Sequence, residues 1–231
     1  MIKVFIGYDP NETVAYHVLA HSIMRQASVP VSITPLMLKS LPMTRPRDVH
    51  QSTEFSFSRF LVPYLCDYKG KAIFMDCDML FRMDIANLWK QVSDKDAAVS
   101  VVKHDYTPST DSKFLDLKQS KYAKKNWSSL MLFNNDKCTS LTLDVVNKES
   151  GMYLHQFEWT QDIGSISASY NHLVGEYKPN PDAKIIHYTL GTPCFKKYAH
   201  CEFAKEWYEE KALMLAHNKM GEFSLPERNA A

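Results

Sequence analysis

Five short apolar runs, Ile2 to Ile6, Val31 to Leu38, Ala72 to Met75, Ala98 to Lys103 and Leu130 to Phe133, alternate with stretches of helical periodicity. Several are apolar on consecutive positions instead of every second one, the mark of strands buried on both faces. Helices covering both sides of a sheet satisfy that pattern. The expected fold class is therefore α/β, with a mostly parallel central sheet flanked by helices. After the first run, Asp9-Pro10-Asn11-Glu12 places an acceptor at an N-cap, proline at N1 and a carboxylate at N3, ahead of a helix expected to bury Val14, Val18, Leu19 and Ile23. Further helices are expected around Phe57, Phe60, Leu61, Tyr64 and Leu65, with Pro63 as a candidate kink, and over Ile85 to Val92. Phe203, Trp207 and Met214 share helical spacing, so 201–220 reads as an amphipathic C-terminal helix on a single domain spanning 1–231. Stretches 42–51 and 109–125 read as loops or weak helices.

Composition narrows the function. A chain of 231 residues, 45% hydrophobic and 12% aromatic, buries a substantial core. Basic residues number 27 against 26 acidic, so the basic excess of a phosphate-neutralising nucleic-acid binder is missing and no nucleic-acid partner is expected. No apolar run reaches the roughly 18 residues of a membrane span. The opening residues carry no long apolar leader, and five cysteines without a Cys-x-x-Cys pair suit free thiols; the expected compartment is the cytoplasm.

The sharpest local feature is Lys71 to Phe81, an apolar strand ending in Asp76-Cys77-Asp78. Alternation along an extended chain lets Asp76 and Asp78 share a face while Cys77 points away. Two carboxylates so placed repel unless a positive group lies between them, and a hard divalent cation meets that need. Fifteen aspartates give about one Asp-x-Asp triplet by chance, and there are two. The other, Asp94-Lys95-Asp96, falls in a polar turn where solvated carboxylates need no explanation, whereas the first closes a buried strand. On these residues alone a turn or helix cap stands as the alternative. Downstream, Ala183 to Pro193 is another apolar run delivering His187, followed by Gly191. An imidazole added to two carboxylates makes a ligand set suited to Mn²⁺ or Mg²⁺ with positions left for phosphate oxygens.

Together these segments resemble the nucleotide-sugar glycosyltransferases of the family eight type, which includes glycogenin and the bacterial lipopolysaccharide galactosyltransferases. Phe5 to Glu12 is similar to that family's first strand and nucleotide-contacting turn, Ser56-Phe57-Ser58-Arg59-Phe60 to its arginine-bearing helix, and Ala72 to Ile85 to its Asp-x-Asp segment leading to a tryptophan, here Trp89. Asn126 to Leu132, Gln161-Asp162-Ile163 and Ile186-His187-Tyr188-Thr189 with Gly191 follow in the family's order across nearly the whole chain. Ser128 and Thr160 depart from the pattern, and the lysine after the glycine is replaced at a distance by Lys196 or Lys197.

The resemblance implies a GT-A type fold and a metal-dependent hexosyltransferase with Mn²⁺ or Mg²⁺ as cofactor, a UDP-sugar donor, a saccharide, lipid or protein acceptor, and retention of configuration. It implies metal ligation by Asp76, Asp78 and His187, donor contacts from Gly7, Tyr8, Asp9, Asn11, Arg59, Cys77, Gly191 and Lys196, and a sugar pocket of Asn126, Gln161 and Asp162. Arg59 as an ion pair and Asp9 as a helix cap are the ordinary alternatives. Trp127, Trp159, Tyr170 and Tyr188 are candidates for sugar stacking or for core, and Lys113, Lys118, Lys121, Lys124 and Lys125 for a lid or a solvated face. Other functions compatible with the sequence are a non-catalytic nucleotide-sugar binding protein, a nucleotidyltransferase on a similar fold, and a zinc site of His187, Cys194, His200 and Cys201, whose spacing matches no usual knuckle.

Overall fold

The computed structural model describes residues 1–47, 51–93, 96–106, 112–113, 117–118 and 123–216. In chain order the elements are β1 (Ile2–Gly7), α1 (Thr13–Gln26), β2 (Val31–Leu36), α2 (Val62–Leu65), β3 (Lys71–Met75), β4 (Met79–Phe81), α3 (Ile85–Ser93), β5 (Val99–Val101), the strand pair β6 (Ser112–Lys113) and β7 (Leu117–Lys118), β8 (Leu130–Asn134), α4 (Leu143–Lys148), α5 (Gly151–His155), β9 (Ile163–Ser165), β10 (His172–Leu173), β11 (Ile185–His187) and α6 (Ala204–Ala216). Asp94, Lys95, Lys121 and the stretch 217–220 lie outside the described residues.

A six-stranded sheet in the order β2-β1-β3-β8-β5-β9 forms the centre. β1 runs parallel to β2 and β3, β5 runs parallel to β9, and β8 is antiparallel to both of its neighbours. The mixed α/β architecture expected from the doubly buried runs is present: Val4, Ile6, Ile73, Phe74, Met75, Val99, Val101 and Leu130 to Phe133 are all buried. Pro35 sits in β2 at the sheet's edge, where its missing N–H breaks no internal ladder. A second sheet, β10-β11-β4, stands beside the first.

Two local expectations are corrected. Val14, in the first turn of α1, is exposed, and the buried face of the helix is Ala15, Val18, Leu19, Ala20, Ser22 and Ile23. Pro63 makes no kink: it lies in the first turn of α2, where no N–H is needed, after a 3₁₀ turn over Ser58–Leu61. The stretch 109–125 holds β6 and β7 in place of a loop or weak helix, and both it and 42–51 lie partly outside the described residues.

α6 docks on α1 through the fully buried Trp207 ring and a charged clamp. Glu210 accepts from His21 Nδ1 at 2.6 Å and from Arg25 Nη2 at 2.6 Å. Burial raises its carboxyl, but the bonds from Arg25 and His21 outweigh that and leave it below the ordinary 4.5. A carboxyl whose folded value is depressed stabilises the fold above its unfolded value, and that contribution disappears as pH falls through the folded one. Glu210→Ala is expected to cost about 1–3 kcal/mol in urea unfolding at neutral pH, with the difference from wild type shrinking in acid; equal stability at neutral pH would show that the clamp contributes nothing.

Candidate active site

The site lies where the chain passes from one sheet to the other. β3 ends at Met75 and β4 begins at Met79, so Asp76-Cys77-Asp78 spans the junction at the carboxyl edge of β1 and β3, the edge where open α/β sheets place ligands. Two backbone bonds pin the span. Asp76 N–H donates to Ser129 O at 2.9 Å at the start of β8, and Tyr188 N–H donates to Asp78 O at 2.9 Å just after β11. β11 pairs antiparallel with β4, with His187 opposite Met79, which brings the imidazole from far down the chain to Asp78.

Asp76, Asp78 and His187 each offer one ligand atom, and these atoms lie within 4.8 Å of one another. His187 is buried, with Nε2 3.3 Å from Asp78 Oδ1. Asp78 Oδ1 is itself buried and receives no hydrogen bond among the described residues, an arrangement costly for a carboxylate unless a cation or proton completes it. Two carboxylates and an imidazole fit Mn²⁺ or Mg²⁺. Cys194, His200 and Cys201 do not join this cluster, and all five cysteines are free thiols.

Arg59 is buried and committed inward. Its Nη1 lies 2.9 Å from Asp76 Oδ1 and donates to Ser128 O at 2.8 Å, while its guanidinium sits over the Phe55 and Phe74 rings. The pair is thus a buried one, holding Asp76 in place. Asp9 is fully buried and fully used: Oδ1 accepts from Asn11 N and Nδ2, both at 2.9 Å, and Oδ2 from Glu54 N at 3.1 Å. It caps the 3₁₀ turn and ties the end of β1 to the Glu54 backbone. Gly7 is buried against the Phe55 ring, Tyr8 bonds Thr13 through its hydroxyl, and Asn11 is exposed at the same edge.

Other expected contacts are placed differently. The Cys77 side chain is fully buried, its thiol pushed well up by burial and by the Glu12 and Asp78 charges, so it faces away from any donor. Gly191 has φ 148°, and a Cβ there would overlap the Tyr198 ring; its open backbone face is filled by protein instead of ligand. Lys196 is exposed in the turn Lys196–Tyr198. Asn126 does come to the site: Nδ2 donates to Tyr106 Oη at 2.8 Å and to Thr189 Oγ1 at 3.1 Å, two residues beyond His187. Gln161 and Asp162 do not. Asp162 holds the Ala98 N–H at the start of β5, level with Lys71 at the far end of β3. The strand rise sets it roughly 15 Å from Asp76 along the sheet. Trp159, Tyr170 and Tyr188 are core, and Trp127 is half-buried with its indole N–H on His104 O.

Three contributors lacked a local signal. Glu12, the last residue of the capped turn, is buried against this cluster. Burial, reinforced by the charges of Asp78, Asp9 and Asp76, pushes its carboxyl well above the ordinary 4.5. His104 is pushed down to about 3 by burial and by His187 and bonds Tyr177 Oη at 2.8 Å. Asn171, fully buried, accepts from His187 Nδ1 at 2.9 Å.

The fold around this cluster is that of the GT-A glycosyltransferases. The galactosyltransferase LgtC, solved with donor and acceptor sugar analogs, superposes with a TM-score of 0.60 at 12% identity over 98% of both chains. The apo WbbM bifunctional glycosyltransferase gives 0.62 at 14% identity over 94% of this chain, and GlyE of Streptococcus pneumoniae TIGR4 gives 0.61 at 13% over 94%. The chain spans only 50% of WbbM and 63% of GlyE. At the level of sequence it is 43% identical over 230 residues to Protein CDI of Arabidopsis thaliana, covering 94% of this chain and 88% of that one. The chain therefore belongs to the family of Protein CDI. No protein-family profile matches it. Among the described residues no helix is long and apolar enough to cross a membrane.

The Glu12 carboxyl gives a direct test of how crowded with charge this edge is. With its folded value raised, the folded chain keeps a proton that the unfolded chain releases, so the group's contribution to stability falls as pH rises through 4.5 toward the folded value. In EDTA-treated protein, Glu12→Gln is expected to raise the thermal midpoint by a few degrees at neutral pH and to flatten its decline as pH rises above 4.5. A midpoint that drops at neutral pH would show an ionised Glu12 serving the fold.

Proposed function

We propose that the protein is a metal-dependent glycosyltransferase that moves a hexose from a UDP-linked sugar to a saccharide, lipid or protein acceptor with retention of the anomeric configuration, acting as one domain over 1–231. The observation that carries this reading is the convergence of Asp76, Asp78 and His187 within 4.8 Å at the carboxyl edge of the sheet, on the fold that LgtC uses with donor and acceptor sugars. In the transfer, the bond between the anomeric carbon and the diphosphate oxygen breaks with its electron pair on the diphosphate. A bond to the acceptor oxygen forms, and the acceptor hydroxyl gives up its proton to the departing diphosphate or, through it, to solvent. A bound Mn²⁺ or Mg²⁺ supplies Lewis-acid charge for the departing diphosphate.

Asp76, Asp78 and His187 are the residues that hold such a cation, with Arg59 orienting Asp76 from behind. The edge formed by Gly7, Tyr8 and Asn11 offers the nucleotide a place beside it, while Asp9 keeps that edge in shape. A sugar-pocket role for Asn126 is supported by its bond to Thr189, two residues beyond His187; the position of Asp162 gives no support to such roles for Gln161 and Asp162.

Asp78→Asn is expected to reduce Mn²⁺-dependent release of UDP from nucleotide sugars by about 100-fold or more. Unchanged turnover would overturn the assigned role. UDP binding with metal but without release from any donor would make the chain a binding protein, and pyrophosphate release from a nucleoside triphosphate would make it a nucleotidyltransferase.

A further inference from the structure

A buried chain of hydrogen bonds runs behind His187, and the number of hydrogens available to it has only one consistent solution. Ser129 Oγ lies 2.7 Å from Asn126 O and 2.8 Å from Asn171 Nδ2, and Asn171 Oδ1 lies 2.9 Å from His187 Nδ1. A carbonyl oxygen only accepts, so at 2.7 Å the single Ser129 hydroxyl hydrogen must point to Asn126 O, since otherwise two acceptors would abut. Ser129 Oγ is then left only as an acceptor toward Asn171. The amide must present its NH₂ to Ser129 and its carbonyl to His187, which removes the flip ambiguity of an asparagine side chain. Facing a carbonyl, His187 Nδ1 must carry a hydrogen whether the ring is neutral or protonated. In the neutral ring the lone pair is then on Nε2, the atom 3.3 Å from Asp78 Oδ1.

We propose that Asn171, oriented by Ser129, is a positioning pair that locks His187 in the Nδ1–H form and so aims its Nε2 lone pair at the cation site. The pair touches neither the cation nor the substrate. Asn171 is fully buried, Ser129 and His187 are 1% exposed, and the three come from the turn before β10, the start of β8 and the end of β11. Water therefore has little access to substitute for a lost partner. An imidazole without such a partner divides between two tautomers, and only one of them offers Nε2 to a metal. The same hydroxyl bond supports Asn126, whose backbone is left-handed at φ 61°, so the metal side and the expected sugar side of the site share one relay.

The inference rests on reading Asp76, Asp78 and His187 as a cation site, and two measurements separate the two claims. Two-bond ¹H–¹⁵N correlation spectra of histidine-labelled, metal-free protein in mildly alkaline buffer report the tautomer directly. Wild type is expected to show hydrogen on Nδ1 of His187, and Asn171→Leu and Ser129→Ala to move it toward Nε2. Mn²⁺ titration followed by electron paramagnetic resonance is expected to show affinity about 10–100-fold weaker in Asn171→Leu. Asn171→Asp is expected to keep the hydrogen on Nδ1, because one carboxylate oxygen still accepts from it, even though the other meets a Ser129 hydroxyl whose hydrogen is committed to Asn126 O. A purely structural role for Asn171 would be damaged by both variants alike. Hydrogen on Nε2 in the wild type, or Mn²⁺ affinity blind to Asn171→Leu, overturns the positioning pair. The expected tautomer in a wild type that binds no Mn²⁺ overturns the cation site.

Discussion

Like charge held at close quarters is the constraint on which this molecule turns. Asp9, Glu12, Asp76 and Asp78 all bear on one edge of a buried sheet, close enough for the last two and Asp9 to push the Glu12 carboxyl upward. Carboxylates in water would separate; here the backbone forbids it. Asp76 is tied to β8 and Asp78 to the strand that carries His187, each through its own main chain. The position of the charges is thus a property of two sheets meeting, whose packing opposes the repulsion together with the Arg59 guanidinium and the donors to Asp9.

Each acid is handled by a different physical device. Asp9 spends both oxygens on backbone and amide donors and becomes a structural cap. Glu12 is buried beside the Cys77 thiol, where the neutral form is favoured. Asp76 receives the Arg59 guanidinium, itself held by Ser128 O and two aromatic faces. Asp78 faces an imidazole nitrogen, and among the described residues its buried oxygen receives no hydrogen bond and no guanidinium of the kind Asp76 has. The asymmetry singles out the Asp78 and His187 side as the place where the arrangement is incomplete without a further positive group.

The sheet was legible in the sequence because its strands carry a one-dimensional signal: consecutive apolar residues bounded by turns, as in Ala72 to Met75 and Leu130 to Phe133. The Asp76 and Asp78 pair was legible for the same reason, since alternation along an extended backbone places them on one side. The union of His187 with that pair required family order, because only the β4 and β11 pairing joins them. Glu12 was readable only as a capping carboxylate, and Asn171 not at all, since its significance comes from contacts with residues 16 and 42 positions away. Gln161 and Asp162 mark the opposite failure. Motif order put them near the sugar, yet the parallel register of β9 with β5 fixes Asp162 at the strands' other end. Order along the chain does not by itself specify to which end of a strand a turn is delivered.

The commitment of Arg59 bears on how the proposed donor would be held. An arginine free at the mouth of the site would pair with a diphosphate as a fork, but this one is locked behind Asp76, 6% exposed. Lys196 is out in a solvent-facing turn. The carboxyls of Asp9, Asp76 and Asp78 crowd this edge beside the Arg59 guanidinium and press the Glu12 carboxyl upward, a crowding that a divalent cation would relieve. A diphosphate approaching that edge alone would meet net negative charge and be repelled. Under the proposed function the cation and the nucleotide would therefore form one electrostatic unit, each making the other's binding favourable, and the acids that crowd the edge would give the loaded site its affinity.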